Sequence, residues 1–447
     1  MLKRKLTTFD LTMIAIGSTI GSGIFLTPAR IAGELPAAGW MLLVWAVGGV
    51  VAFCGALTFA ELAQRFPDAG GVYAFLKRAY GPVMAYLYGW ATLTVITTGA
   101  IAALSLGFAD YAAIVLEEVG MEVGDVGKKG IAIGGIAVVT VINLAGAKAG
   151  GMFSNIFTVL KLLGIAFLVV AGFFMVSESQ LDFGEAMPEK MDKSLWTAFA
   201  AALVGVFWSY GGWHHASFVS GEAINPRKSV PRAMVIGTLV ITTTYLLVNL
   251  AYLRMLPVGD IVGNEGVAAT AMKAVMGVGG GLLIAIAISI STYGTAGIYT
   301  LTAPRIYHQM AEDRTFFPFL ARIHPRFGTP ANAILLQSAW AVVLIFAWGT
   351  FSNLIGYVVF TDWIFLTAAA ISIFLLPAPQ IKDQAPLPKR SPIFFAAPLI
   401  FILISSWFII KTLVGEPVHA LAGLTLLAAG LLVYWGWKQW GNPGQKI

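Results

Sequence analysis

The sequence predicts an all-α integral membrane protein of about twelve transmembrane helices, and three observations carry that prediction. Of 447 residues, 58% are hydrophobic and 11% charged, against about 25% charged in soluble domains. Apolar runs recur along the whole length, each reaching the roughly 18 residues that a spanning helix needs. The basic residues alternate in density between successive loops. With the N-terminus in the cytoplasm, 19 of the 28 lysines and arginines fall inside and 8 outside, and Lys161 lies in the membrane. That bias satisfies the positive-inside rule, and the reverse orientation violates it. Both termini are therefore expected in the cytoplasm, and the cytoplasmic (plasma or inner) membrane is the expected location. The net charge of +6 reads as a basic face against anionic lipid and calls for no nucleic acid.

The expected crossings run, in order, over 10–31, 39–63, 83–114, 131–148, 154–176, 195–220, 233–256, 280–305, 332–350, 353–377, 393–412 and 418–437. The apolar stretch after Lys3-Arg4-Lys5 is too long for the core of a cleavable signal peptide. The polar stretches 115–130, 177–194, 306–331 and 378–392 are of loop size, so no soluble domain is expected. Within the third of them, Met310 to Pro318 is expected to form a short interfacial helix. Cys54 is the single cysteine and lies inside the second crossing, which reads as core filling and excludes an intrachain disulfide.

Two crossings carry interruptions. Gly17-Ser-Thr-Ile-Gly-Ser-Gly-Ile24 sits within the first, and Tyr210-Gly-Gly-Trp213 within the sixth. Lipid supplies no partner to freed amides and carbonyls, so irregular backbone at this depth belongs where it is buried in protein or lines a cavity. Paired breaks at corresponding positions point to the substrate site of a secondary transporter. Because the breaks lie five crossings apart, the second set of helices enters from the opposite side. This predicts an inverted repeat, with 1–180 and 181–378 as its halves and 379–447 holding two peripheral helices and the C-terminus.

The breaks suit a zwitterion. Amides at the start of an outer half-helix attract an anion, and the helix dipole adds to that attraction. Gly21, Ser22 and Gly23 are placed to offer them to a carboxylate, and carbonyls near Trp208, Ser209 and Gly211 are placed to take an α-amino group. The competing reading is close helix packing, for which membranes also use small residues.

The ordered motifs extend this reading. They are Gly21-Ser-Gly-Ile-Phe25, then Glu61-Leu-Ala-Gln-Arg-Phe-Pro-Asp-Ala-Gly-Gly-Val-Tyr73, Tyr80-Gly-Pro82 and Tyr210-Gly-Gly-Trp213. Glu222-Ala-Ile-Asn-Pro-Arg-Lys-Ser-Val-Pro231, the eighth crossing through Arg305, and His324-Pro-Arg-Phe-Gly-Thr-Pro330 complete the series. In these motifs the chain resembles the amino acid–polyamine–organocation transporters, and among them bacterial members of the L-amino acid transporter group. The resemblance implies a five-plus-five inverted-repeat (LeuT-like) fold with broken helices 1 and 6, and alternating access for amino acids. It places carboxylate-binding amides on Gly21, Ser22 and Gly23, with Ile24 beside them, and an aromatic gate on Trp208.

Lys161 is flanked by Val159-Leu160 and Leu162-Leu163, far from either membrane surface. Ionisable residues at such depth are costly and mark functional sites. In similar transporters a lysine here replaces the sodium ion that relatives hold between helices 1 and 8. The resemblance thus implies sodium independence, with Ser291 and Thr292 as partners of the ammonium. A structural tie and a proton-releasing role stand beside that reading. Asp362, deep in the tenth crossing, is a pairing site, a proton site or an attractor of cationic substrates. His214 falls where eukaryotic relatives carry an asparagine at the substrate site, and is read as a hydrogen-bonding pocket wall, with a pH-sensitive step as the alternative. Neither the histidines nor the acids show metal-ligand spacing, so no metal and no cofactor is expected.

A channel would build its filter from loops repeated about an axis, and an intramembrane enzyme would need a nucleophile–base or metal constellation. Neither pattern occurs. The sequence reads as a secondary transporter or exchanger of neutral L-amino acids. Proton-coupled uptake or antiport of cationic amino acids or polyamines, and a sensor of transporter shape, stand as alternatives. Eukaryotic members of the group join a single-span glycoprotein through an external cysteine. This chain has none in 115–130, so no disulfide-linked accessory subunit is expected.

Overall fold

The first crossing is two helices rather than one. In the computed structural model, which describes residues 4–67, 70–184, 194–264, 266–348, 351–377, 392–415 and 417–440, α1 (Thr8–Thr19) stops at Ile20 and α2 (Gly23–Glu34) starts after Ser22. Thr7 opens α1 through a capping box: its hydroxyl accepts from the Asp10 amide, and Asp10 accepts from the Thr7 amide at 2.8 Å. The sixth crossing repeats the interruption. Its helix α9 (Leu195–Tyr210) ends at extended Gly211, and α10 (His215–Phe218) resumes after Gly212, whose φ is 125°.

Between the breaks lie α3 (Ala38–Arg65), α4 (Val72–Tyr80), α5 (Pro82–Ala91), α6 (Thr97–Glu118), α7 (Asp125–Leu144) and α8 (Ala147–Phe174). A π-helical segment, Thr92–Ile96, joins α5 to α6, and there Thr98 donates its hydroxyl to the Leu93 carbonyl, five residues back. After the second break come α11 (Pro226–Met255), α12 (Val258–Ile261), α13 (Val267–Thr302), α14 (Pro304–Glu312), α15 (Ala331–Trp348), α16 (Phe351–Leu375), α17 (Pro392–Gly415) and α18 (Pro417–Trp440). Among the described residues nine helices are long and apolar enough to cross a membrane, and Leu195–Tyr210 and Ala331–Ala347 are shorter apolar helices. The fold is that of an all-α, multi-pass membrane protein.

Two boundaries differ from expectation. The helix expected over 310–318 lies over Pro304–Glu312. Proline fits the first helical position, where its missing N–H costs nothing, and Arg314, at φ 58°, ends the segment in left-handed backbone. The eighth crossing begins at Val267, well before 280, and bends at Gly277, where φ is 68°. The only cysteine, Cys54, is a free, buried thiol.

The breaks meet in the middle of the bundle. α1 packs against α8, α11 and α13, α2 packs against α9, and α17 and α18 cover α16 from outside. Burial of the rings of Trp45, Tyr210 and Tyr245, with centroids 5.0–5.9 Å apart, wedges α3, α9 and α11 together beside them.

One end of the bundle is closed by ties between distant segments. Lys5 and Leu6 donate their amides to the Glu222 carbonyl at 2.8 and 2.9 Å, and Ile224 returns a bond to Leu6. Beneath them Arg305 Nη2 donates to both carboxylate oxygens of Glu222, at 2.9 and 3.1 Å, with both side chains buried. At the same end Asp313 takes Lys77 at 2.6 Å and the Tyr73 hydroxyl at 2.9 Å.

Candidate functional site

The two breaks are in contact. A Cβ on Gly212 would stand 2.5 Å from the Ser18 carbonyl oxygen, so only glycine permits both this approach and the positive φ. Ser18 reciprocates by donating its hydroxyl to the Gly212 carbonyl at 2.8 Å. Gly23 presses α2 onto α9 in the same way, since a Cβ there would lie 2.8 Å from the Ser209 Cα.

At the first break the carbonyls of α1 face inward, and Lys161 of α8 meets them. Its Nζ donates to the Gly17 carbonyl at 2.9 Å, the Ile20 carbonyl at 2.6 Å and the Thr295 hydroxyl at 2.7 Å. An ammonium has three donors, and all three are used. The position is the C-terminal end of α1, where the helix dipole favours a cation. A fully buried charge would otherwise cost several kcal/mol; here backbone oxygens take the part of a counter-ion. Thr295 Oγ1 lies 2.9 Å from both the Gly17 and Ile20 carbonyls, so its hydroxyl is shared between them. Ser291 donates to the Gly21 carbonyl at 3.1 Å.

This arrangement corrects one sequence expectation. Thr292 does not reach Lys161: its hydroxyl bonds back to the Ile288 and Ser289 carbonyls of its own helix. Thr295 makes the contact, and Ser291 serves the break without touching the ammonium. Ser291 and Thr295, four residues apart on one face of α13, are the hydroxyls that reach the carbonyls of the break.

The amides at the break have the opposite character. Gly21, Ser22, Gly23 and Ile24 donate to no protein group among the described residues, and the Ser22 hydroxyl is buried without a partner. α2 thus opens with bare donors and no side-chain cap, which is an anion-binding arrangement.

At the second break the carbonyl pattern is narrower than expected. The Ser209 carbonyl, expected to be available to an amino group, accepts the Tyr245 hydroxyl at 2.8 Å. That hydroxyl also stands 3.0 Å from the Thr19 carbonyl, so Tyr245 joins the two breaks. The Trp208 carbonyl takes the Gly211 amide at 3.2 Å. The carbonyls of Tyr210 and Gly211 accept nothing among the described residues. The Trp208 ring, one turn before the break, is half-buried against the core.

His214 and His215 are both buried. His214 Nδ1 has no partner, and its ring lies among Phe59, Trp213 and Phe218 at 5.3–6.5 Å. His215 stacks on Tyr299 at 4.3 Å and shares a 2.7 Å hydrogen bond with Thr302. Asp362 on α16 is buried, and its Oδ1 meets no donor. Its neighbour Trp363 stacks on Phe207 at 3.7 Å, which sets Asp362 at the level of the second break. The pairing role has no partner among the described residues. No group of three or more histidines, cysteines or carboxylates that could hold a metal is found there either.

Tyr245 and Thr295 were not visible as site residues in the sequence. Each is one hydroxyl among several on its helix, and only the packing shows which of them meets the broken backbone.

The amino acid permease family matches residues 6–431 of the chain. The chain is 31% identical to the serine/threonine exchanger SteT of Bacillus subtilis (strain 168), covering 96% of each. It is 28% identical to the human b(0,+)-type amino acid transporter 1, covering 95% of this chain and 88% of the relative. Against the human cystine/glutamate transporter the identity is 27%, over 98% of this chain and 86% of the relative. These relatives are transporters, not enzymes. Broken crossings in contact, a buried lysine on their carbonyls and a match over nearly the full length agree: the chain belongs to the amino acid permease family.

Proposed function

We propose that the protein is a sodium-independent exchanger of neutral L-amino acids that works by alternating access. The observation that carries the reading is the Lys161 ammonium on the carbonyls of Gly17 and Ile20, 2.9 and 2.6 Å away, with the Thr295 hydroxyl. A covalently attached cation occupies the break, so no soluble one is needed to hold α1 against α8 and α13. The unpartnered amides of Gly21 to Ile24 then bind the substrate carboxylate, and the carbonyls of Tyr210 and Gly211 take the α-amino group. Trp208 closes over the bound molecule, and His214, with its unpartnered Nδ1, stands behind the break as a hydrogen-bonding wall.

The two halves of the inverted repeat are 1–180 and 181–378, each opening on a broken crossing, with 379–447 peripheral. Both termini face the cytoplasm, in accord with the basic residues of the loops. The first residues of α1, the Glu222 loop and Asp313 then form the inner barrier. Exchange is supported by the name of the Bacillus relative, a serine/threonine exchanger, and a neutral substrate by that of the mouse large neutral amino acids transporter small subunit 2. The only cysteine is buried, which favours a transporter without a disulfide-linked subunit.

Asp362 favours a second reading. A buried carboxylate oxygen without a donor suits a proton, or the cationic end of a substrate side chain, and thus proton-coupled or cationic amino acid transport. Counterflow in proteoliposomes, with competition by the twenty amino acids and by polyamines, with and without sodium and a pH gradient, separates these. Neutral amino acids should drive counterflow without sodium. Uptake that requires sodium would refute the cation role of Lys161, and competition by arginine or polyamines alone would transfer the assignment to the second reading.

A further inference from the structure

We propose that the closed end of the bundle carries a binding site for a phosphate group. A cavity of about 120 Å³ opens there between four segments, bordered by Lys5, Gly146, Lys148, Glu222, Arg326 and Phe327. It exceeds the roughly 15 Å³ that one water requires several times over. Lys5 comes from the chain before α1, Lys148 from the first turn of α8, and Arg326 from the loop between α14 and α15. Among the described residues none of these three cations is paired with a carboxylate. The one carboxylate at the wall, Glu222, is already neutralised by both bonds from Arg305, so it does not compete for the cations or repel an anion.

The backbone adds to the positive field. Gly146 is the cap of α8 and has no side chain to offer, so the first amides of this 28-residue helix lack a capping acceptor. Gly146, Ala147 and Lys148, at the start of this helix, line the same cavity that the three cations border, and helix N-termini bind phosphate. Three charges from three segments border a space large enough for a tetrahedral anion, which would offset their mutual repulsion.

The site bridges parts that must separate if this end opens. Lys5 belongs to the strand-like stretch held on the Glu222 carbonyl, whereas Lys148 and Arg326 stand on α8 and a distant loop. A phosphate held by all three fastens the start of α1 to its surroundings and restrains opening. This restraint rests on the alternating-access reading; the binding itself does not.

The test titrates the purified full-length protein in neutral detergent with inorganic phosphate and, separately, with short-chain phosphatidylglycerol, following the thermal unfolding midpoint. A saturable rise is expected. Lys148→Gln and Arg326→Gln should each raise the half-saturating concentration about fivefold, in line with the contribution of one surface cation, and Lys148→Arg should restore it. A response to both probes identifies a soluble phosphate compound as a sufficient ligand; a response to the lipid alone identifies a headgroup. Absence of saturation with either probe, or saturation untouched by both glutamine variants, overturns the site. In vesicles with added phosphatidylglycerol, the glutamine variants should exchange amino acids faster than the unmodified protein, and in phosphatidylcholine alone equally fast. Equal rates in both membranes overturn the restraint, while absence of any exchange refutes the transport reading and leaves the titration to decide the site.

Discussion

Replacing Lys161 by methionine tests the centre of the proposal, because methionine keeps the apolar stem and removes only the ammonium. Three hydrogen bonds disappear, at 2.6–2.9 Å, and a bond to a charged group contributes about 1.5–3 kcal/mol. The acceptors are not abandoned, however. The Gly17 and Ile20 carbonyls keep the Thr295 hydroxyl at 2.9 Å, and Ile20 keeps Ser291 at 3.3 Å. The desolvation cost of the buried cation disappears as well. Stability should therefore fall by only about 1–2 kcal/mol, with the variant still folded. What is lost is the tie that sets α1 against α8. A shift of about 2 kcal/mol in the balance between conformations corresponds to about thirtyfold. Counterflow in proteoliposomes should slow by that order while the melting profile stays cooperative. Lys161→Ala leaves a space that a cation can enter, so sodium should stimulate the alanine variant and not the methionine variant. A folded methionine variant that exchanges within about twofold of the unmodified protein, where about thirtyfold is expected, would refute the role given to Lys161.

Three further substitutions separate gating, break geometry and closure. Trp208→Ala should cost about 2 kcal/mol of stability, half the figure for a fully buried tryptophan, yet nearly abolish uptake; unchanged uptake kinetics would remove the gate. Tyr245→Phe strips the Ser209 carbonyl of its partner and should cost about 1–3 kcal/mol, read by thermal unfolding, with a matching loss of exchange. Glu222→Gln leaves the Arg305 charge buried and only partly compensated, which should cost about 3–5 kcal/mol; an apolar replacement of both residues should recover most of it.

The breaks themselves were legible, since three glycines in seven residues and Tyr-Gly-Gly-Trp weaken a helix wherever it lies. Lys161 was equally plain, a lone charge between pairs of apolar residues. Its partner was not. The eighth crossing offers hydroxyls at Ser289, Ser291, Thr292 and Thr295, and the rotation of α13 against α1, set by packing, decides which of them faces the break. Ser209 fails as an open carbonyl for a similar reason. Its cap, Tyr245, lies 36 residues away, and no local pattern announces it. Asp362 shows both limits: its depth was visible, but the lack of a donor around Oδ1 is a property of the assembled bundle. The helix at Pro304–Glu312 was displaced in the sequence reading although Pro304, a regular first residue of a helix, marks where it starts.

The lysine also bears on why the proposed activity is exchange rather than one-way flux. A ligand shifts a conformational balance only by the difference in its affinity for the two states. Where a soluble ion fills the first break, its binding and release supply part of that difference. Here the cation is part of α8, bonded to Gly17, Ile20 and Thr295, so its concentration never changes. On the proposed function the substrate is then the one component that comes and goes at the breaks. Its carboxylate on the α2 amides and its amino group on the α9 carbonyls would draw the two half-helices together, easing the passage between states. An empty carrier lacks that bridge and keeps those buried amides unsatisfied, so its return should be the slow step. Efflux from loaded vesicles should accordingly accelerate when amino acid is present outside, and equal rates with and without it would exclude coupling of this kind.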